Sequence, residues 1–258
     1  MAKGSRGGQR AGGTLSGTGN VNPSQQTQQP QQAQVDNTQT ASDFSTDYNT
    51  FMAMTDDQKA DVISNSVKQG VPDHLSQTDF QKFIYNSGLN DKPDVVDDAT
   101  LNSMNGTELF RTVNNVYDTK NDISYNADQI AKQIMAGKVT RTSDNGGSVY
   151  GRGIYFADNK LDSSAYGNTR GNVKKTAMVR CKLNSNAKII NYNSARSGAS
   201  AEISKGSKLG KSLAKLDRDS QVSIYAMARG YNVITSGHGY YNVLNRNAVT
   251  MSKTISSI

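Results

Sequence analysis

The chain has 258 residues, 34% of them hydrophobic, with a mean hydropathy of −0.66, which suits one good-sized domain plus extras, or two small ones, with a sizeable fraction unpacked. No apolar run reaches bilayer length and the start, Met1-Ala2-Lys3-Gly4-Ser5-Arg6, has no signal-peptide stretch; one cysteine, Cys181, and two histidines, His74 and His238, exclude a disulfide framework and a zinc ligand set, so a cytosolic product without a membrane is expected. The net charge of +7 is uneven: residues 1–106 hold 7 Lys/Arg against 12 Asp/Glu (−5), and residues 107–258 hold 22 against 10 (+12), a balance that attracts phosphates or an acidic partner if it is more than a solvated surface.

Residues 1–40 read as a disordered tail. A Gly-rich arm with Lys3, Arg6 and Arg10 leads into Gln25-Gln26-Thr27-Gln28-Gln29-Pro30-Gln31-Gln32, and nothing there can offset chain entropy by burial. Residues 41–106 are expected to be a small helical region standing in front of the main domain. Thr55-Asp56-Asp57-Gln58 has the form of a capping box, Ala60, Val62, Ile63 and Val67 follow on one face, and Gly70 and Pro72 end the helix. A second helix is predicted over 77–86, with Phe80, Phe83 and Ile84 inward, and a third, short one near 98–104.

From Gly106 onward short strand signals stand among Gly/Asn/Ser turns. Strands are predicted at 109–113, 153–157, 176–183, 188–190, 232–235 and 241–244, and helices at 126–135 and 220–229. This order, without strict βαβ alternation, predicts an α+β domain over residues 107–258 with mostly antiparallel strands. Cys181 falls inside a predicted strand as a buried, inert thiol. The basic runs at 172–175 and 205–211 read as exposed loops; the second lacks the spacing of a phosphate loop.

One segment carries chemistry. Tyr150-Gly151-Arg152-Gly153 opens into Ile154-Tyr155-Phe156-Ala157-Asp158, and Ser163-Ser164-Ala165-Tyr166 follows. Two tyrosines and a serine beside a glycine-lined backbone suit a flat aromatic amide, with rings to sandwich it and a hydroxyl to bond its carboxamide.

That segment resembles the NAD-binding core of the ADP-ribosyltransferases, above all the poly(ADP-ribose) polymerase branch, where Gly-Lys-Gly-Ile-Tyr-Phe-Ala is a hallmark. The resemblance spans about residues 107–258, taking in Leu109-Phe110-Arg111-Thr112 upstream and, weakly, Gly239-Tyr240-Tyr241-Asn242-Val243-Leu244-Asn245 downstream. It implies a split, two-sheet fold, NAD as cofactor, and a protein or nucleic-acid acceptor. It gives Arg111 the anchoring of the dinucleotide's adenosine side, and Thr112, in place of the family's glycine, a backbone contact to the carboxamide. Gly153, Tyr155, Ser163 and Tyr166 become the nicotinamide pocket, with Tyr150 and Arg152 at its mouth. The layout of arm, Gln-rich linker, helical part and this domain resembles proteins encoded among bacteriophage head genes, which implies a place in the host cytoplasm or the virion, with head proteins or DNA as partners.

The third site departs from the family. Tyr240 stands where the catalytic glutamate is expected, a carboxylate that stabilises the positive charge developing as nicotinamide leaves. His238 and Asn242 are the polar groups nearest in sequence, and Glu202, placed in a loop, is the acid left to reach in. Arg111, Tyr155 and Tyr240 are therefore the three positions on which catalysis would turn, and two expectations stand side by side. One is a mono-ADP-ribosyltransferase. The other is a weak or inactive form of the fold serving as a virion structural or nucleic-acid-binding component.

Overall fold

Helix starts follow the local chemistry of the sequence. The capping box forms: Gln58 donates its backbone N–H to the Thr55 hydroxyl at 3.3 Å, and the Gln58 side chain accepts from the Thr55 N–H at 2.9 Å. This opens α2 (Asp56–Lys68), after a short α1 (Tyr48–Ala53) that carries no strong sequence signal. Thr78 caps α3 (Asp79–Ser87), and Gly88 ends it in the left-handed conformation at φ 74°. A three-residue strand, β1 (Asp94–Val96), and α4 (Asp98–Ser103), capped by Asp97, complete this part. The structure is a computed structural model that describes residues 47–118, 123–139, 150–167 and 176–257. The tail at 1–40 and the basic run at 172–175 lie outside the described residues.

The remaining elements run β2 (Glu108–Asn114), the hairpin β3 (Val116–Asp118) and β4 (Ile123–Tyr125), α5 (Ala127–Met135), β5 (Ile154–Ala157), α6 (Lys160–Gly167), β6 (Thr176–Leu183) and β7 (Ile189–Asn191). After these come α7 (Tyr192–Lys205), α8 (Lys208–Leu213), α9 (Arg218–Ala228), β8 (Val233–Thr235), β9 (Tyr240–Val243), β10 (Val249–Ser252) and β11 (Ser256–Ser257). The fold is α+β. One open mixed sheet runs β1-β10-β6-β2-β5-β9-β8-β7, with β11 also pairing β6. The pairs β1/β10 and β7/β8 are parallel and the others antiparallel.

The expected split into two sheets is thus corrected to one large open sheet with a seam, beside the separate two-stranded hairpin β3/β4. β2 follows β6 along its whole length but meets β5 at the single pair Phe110↔Ala157. Beyond that pair the two central strands diverge, and the Arg111 guanidinium bonds the Tyr155 carbonyl at 2.8 Å.

Two cores lie on the two faces. On one, α5 lays Ala127, Ile130, Ala131 and Ile134 against Leu109, Val113, Phe156, Val179, Cys181 and Met251. Burial of these residues raises the Cys181 thiol well above its usual range. On the other face, Phe51, Ile63, Phe80, Phe83 and Leu89 share a core with Leu209, Leu213, Ile224, Met227, Ile234 and Leu244. The helical region is therefore built into the body of the protein, and every described residue belongs to one compact unit. α3 and α9 begin against each other: the Asp79 N–H donates to Asp217 at 3.2 Å, the Asp217 N–H to Asp79 at 2.8 Å, and the Phe80 N–H to the Ser220 hydroxyl at 2.8 Å. The buried Lys59 ammonium donates to the Ala228 carbonyl at 3.1 Å, closing the end of α9.

Glu202 and the run 205–211 are not loops. Glu202 lies on the last turn of α7, which is capped by Gly206 with φ 66°, and Lys208 starts α8. α7 escaped the periodicity because its buried residues are only Ala195, Ala199 and Glu202. It is held by close approach instead: a Cβ on Gly198 would lie 2.3 Å from the Tyr225 hydroxyl of α9. The buried Glu202 carboxylate accepts from Ser207 at 2.6 Å, from Arg229 at 2.8 Å and from Lys205 at 3.3 Å, and Arg229 also reaches Asp56 at 3.0 Å. The Ser207 bond, ahead of those from Arg229 and Lys205, holds the Glu202 carboxyl below its usual range against the effect of burial. Its share of stability is accordingly present above the ordinary glutamate pKa and lost as pH falls through the lowered one. Glu202→Ala is expected to cost about 2–3 kcal/mol in urea unfolding at neutral pH, because it strips a buried charge-assisted network. A loss below about 0.5 kcal/mol would mean that Arg229 does not need this partner.

Candidate functional site

The three segments carrying the motif lie on adjacent strands: β2 with Arg111 and Thr112, β5 with Tyr155, and β9 beginning at Tyr240. In the antiparallel register Tyr155 faces Asn242 across the ladder, and Ala157 faces Tyr240. Directly opposed residues share a sheet face and alternate residues return to it, so Tyr155 and Tyr240 sit on one face. On β2 that face carries Phe110, the residue opposite Ala157, and Thr112. It is the face on which α6 lies: the buried Ser163 hydroxyl meets the Thr112 hydroxyl at 3.0 Å, and the Lys160 ammonium stands 5.5 Å from the centre of the Phe110 ring.

The turn before β5 is held from behind. Gly151 has φ 83° and Gly153 φ 151°. A Cβ on Gly151 would lie 2.6 Å from the Ser223 hydroxyl, and one on Gly153 would lie 2.1 Å from Asn242 Oδ1 and 2.9 Å from the Val243 carbonyl. Asn242, 1% exposed, donates its Nδ2 to the carbonyls of Tyr150 and Arg152, both at 3.0 Å. Ser223 of α9 accepts from the Arg152 N–H and donates to its carbonyl, each at 2.7 Å. The Tyr155 hydroxyl closes the ring of bonds, accepting from the Tyr150 N–H at 3.0 Å and donating to the Gly151 carbonyl at 2.5 Å. Burial keeps that phenol above its usual pKa and therefore neutral. Turn, strand and tyrosine form one preorganised piece.

Arg111 serves the seam. Its register places it with Val179 on the α5 side of the sheet, opposite to the Tyr155 face. Burial lowers its pKa to about 10, and that of the nearby Arg246 to about 9, with the Arg111 charge adding to the effect on Arg246. Both remain cations at neutral pH. Arg152 turns its guanidinium toward Asp217 at 3.8 Å and Asp219 at 3.7 Å, at the start of α9. Tyr166 lies on α6, three residues beyond Ser163.

The polar groups expected near Tyr240 are dispersed. Glu202 is committed to Arg229 and Ser207, so it is not available as a substitute. His238 is exposed in the turn before β9. The acid beside the start of β9 is Asp158: its N–H donates to the Gly239 carbonyl at 2.9 Å, and a Cβ on Gly239 would fall 2.7 Å from its Oδ1. Asp158 is exposed at the end of β5, and alternation turns it from the face that bears Tyr155 and Tyr240.

Sequence reasoning missed Ser223, an unremarkable helical serine with no local signal, and missed the clamping role of Asn242. For Asn242 a signal existed: an amide inside the apolar strand Tyr241-Asn242-Val243-Leu244 must find partners when buried. Comparison of the chain with known protein families, with characterised proteins and with solved structures finds no match.

Proposed function

We propose that the protein is an NAD-dependent mono-ADP-ribosyltransferase acting on a protein or nucleic-acid acceptor. The observation that carries this reading is the adjacency of β2, β5 and β9, with α6 folded over the seam so that Ser163 meets Thr112 beside Tyr155. Nicotinamide would lie on the Tyr155 side of the seam, sandwiched by Tyr155 and Tyr166, its carboxamide exchanging with the Thr112–Ser163 hydroxyl pair. Arg111 would hold the seam open at the width the dinucleotide needs. The glycosidic bond from nicotinamide to ribose C1′ breaks with its electron pair leaving on nicotinamide, and a nucleophile of the acceptor bonds to C1′ and gives up its proton.

Tyr166→Ala is expected to weaken NAD binding by about 1–3 kcal/mol, the scale of a lost aromatic stack and its burial. Isothermal titration with NAD and with nicotinamide reads this directly, and an unchanged affinity in the folded variant would remove the tyrosine clamp.

A second reading has its own support. Tyr240 stands where the resemblance expects a glutamate and Glu202 is spent on Arg229, which favours a weak or inactive form of the fold kept as a virion component. Incubation with labelled NAD separates the two: release of nicotinamide and label on an acceptor belong to the first, and tight binding without release to the second.

A further inference from the structure

We infer that the helical layer α7–α9, where it borders the turn at 150–153, binds single-stranded nucleic acid. Its role as the acceptor surface rests on the transferase reading; its binding does not. Residues 192–228 carry six basic side chains (Arg196, Lys205, Lys208, Lys211, Lys215 and Arg218) against three acids (Glu202, Asp217 and Asp219, the last paired with Arg152). All six are exposed. Lys205 is paired with Glu202 and Lys208 with Asp61, and Asp217 is taken by the α9 cap and by Arg152. Among the described residues, Arg196, Lys211, Lys215 and Arg218 have no acid within ion-pair distance, a run of uncompensated charge of the kind that phosphates neutralise.

The layer borders the candidate site. Gly198 lies against Tyr225 and Glu202 against Arg229, so α7 and α9 run side by side in the same direction, and both begin at the end where Tyr150 and Arg152 stand. There the Tyr150 and Tyr192 rings, half-buried, meet edge to face at 5.6 Å between centres and 75° between planes. Arg196 follows Tyr192 by one turn of α7, on the same side of the helix. Flat rings beside Arg196 and the start of α9, on a layer rich in exposed cations, suit unpaired bases followed by their phosphates, whereas an acidic peptide would use the cations and leave the rings idle.

The test is fluorescence anisotropy of the full chain with a labelled oligodeoxythymidylate about 12 nucleotides long, without NAD, in low and moderate salt. Binding that weakens at least about tenfold between about 50 and 200 mM salt is expected. The exposed-residue variant R196A/K211A/K215A/R218A should lose at least about tenfold in affinity and flatten the salt dependence. Tyr192→Leu, which keeps an apolar side chain and removes the ring face, should lose about fivefold with the salt dependence unchanged. Circular dichroism checks that each variant folds. Absent binding, binding untouched by the fourfold variant, or equal affinity for polyglutamate of the same length would overturn the inference, the last in favour of an acidic protein. Layer-dependent binding in a protein that fails to bind NAD would sink the transferase reading alone.

Discussion

Gly153→Ala is expected to destabilise the protein by about 2–5 kcal/mol, combining about 1–3 kcal/mol of backbone strain with a similar cost of overpacking. The residue sits at φ 151°, and the added methyl would fall 2.1 Å from Asn242 Oδ1 and 2.9 Å from the Val243 carbonyl. Asn242 is buried and tied to Tyr150 and Arg152, and Val243 is pinned in β9 between β5 and β8, so neither can yield cheaply. Thermal and urea unfolding measure the loss. Because Tyr155 hangs on the same turn through Gly151 and Tyr150, whatever ligand uses its ring should be lost in parallel. A variant with wild-type stability would show that the turn can move away from β9, and the preorganised piece described above would not exist.

Tyr240→Glu is expected to raise NAD hydrolysis at least about tenfold, a modest recovery of the two to three powers of ten that a carboxylate aimed at developing positive charge supplies. Position 240 opens β9 opposite Ala157, on the face shared with Tyr155, and is only half-buried, so an ionised side chain there keeps contact with water. Nicotinamide release from labelled NAD is the measurement, with Asp158→Asn as its companion. If the wild-type protein turns NAD over briskly, is indifferent to Tyr240→Glu and loses activity in Asp158→Asn, the acid belongs at the end of β5 rather than the start of β9. If NAD binds and neither variant alters a negligible rate, the fold serves binding alone.

Much of the fold was legible because local signals and tertiary needs agree. The Thr55–Gln58 box, the Phe80/Phe83/Ile84 face, the α5 stripe from Ala127 to Ile134 and the apolar run of β6 all formed within a residue or two of where the pattern put them. Each depends on capping bonds or on a repeat of 3.6 or 2 residues, and those are properties of the chain itself. Elements held by distant contacts were not legible. β1 exists because β10, more than 150 residues later, offers it a parallel partner. α7 exists because Gly198 lets it close on Tyr225, with alanines where a stripe of large apolar residues would have announced it.

The site divides in the same way. By itself the sequence determined which residues are present: a Gly-x-Gly turn, two tyrosines and a serine at fixed separation, and a tyrosine where an acid was expected. Only the tertiary structure decided that β2 and β5 part after one pair, that Arg111 fills the seam from the side away from Tyr155, that Asn242 and Ser223 fasten the turn, and that Glu202 belongs to Arg229. Strand order, sheet face and the pairing of buried polar groups are settled by chain segments far apart in sequence competing for the same partners, and no local pattern records the outcome of that competition.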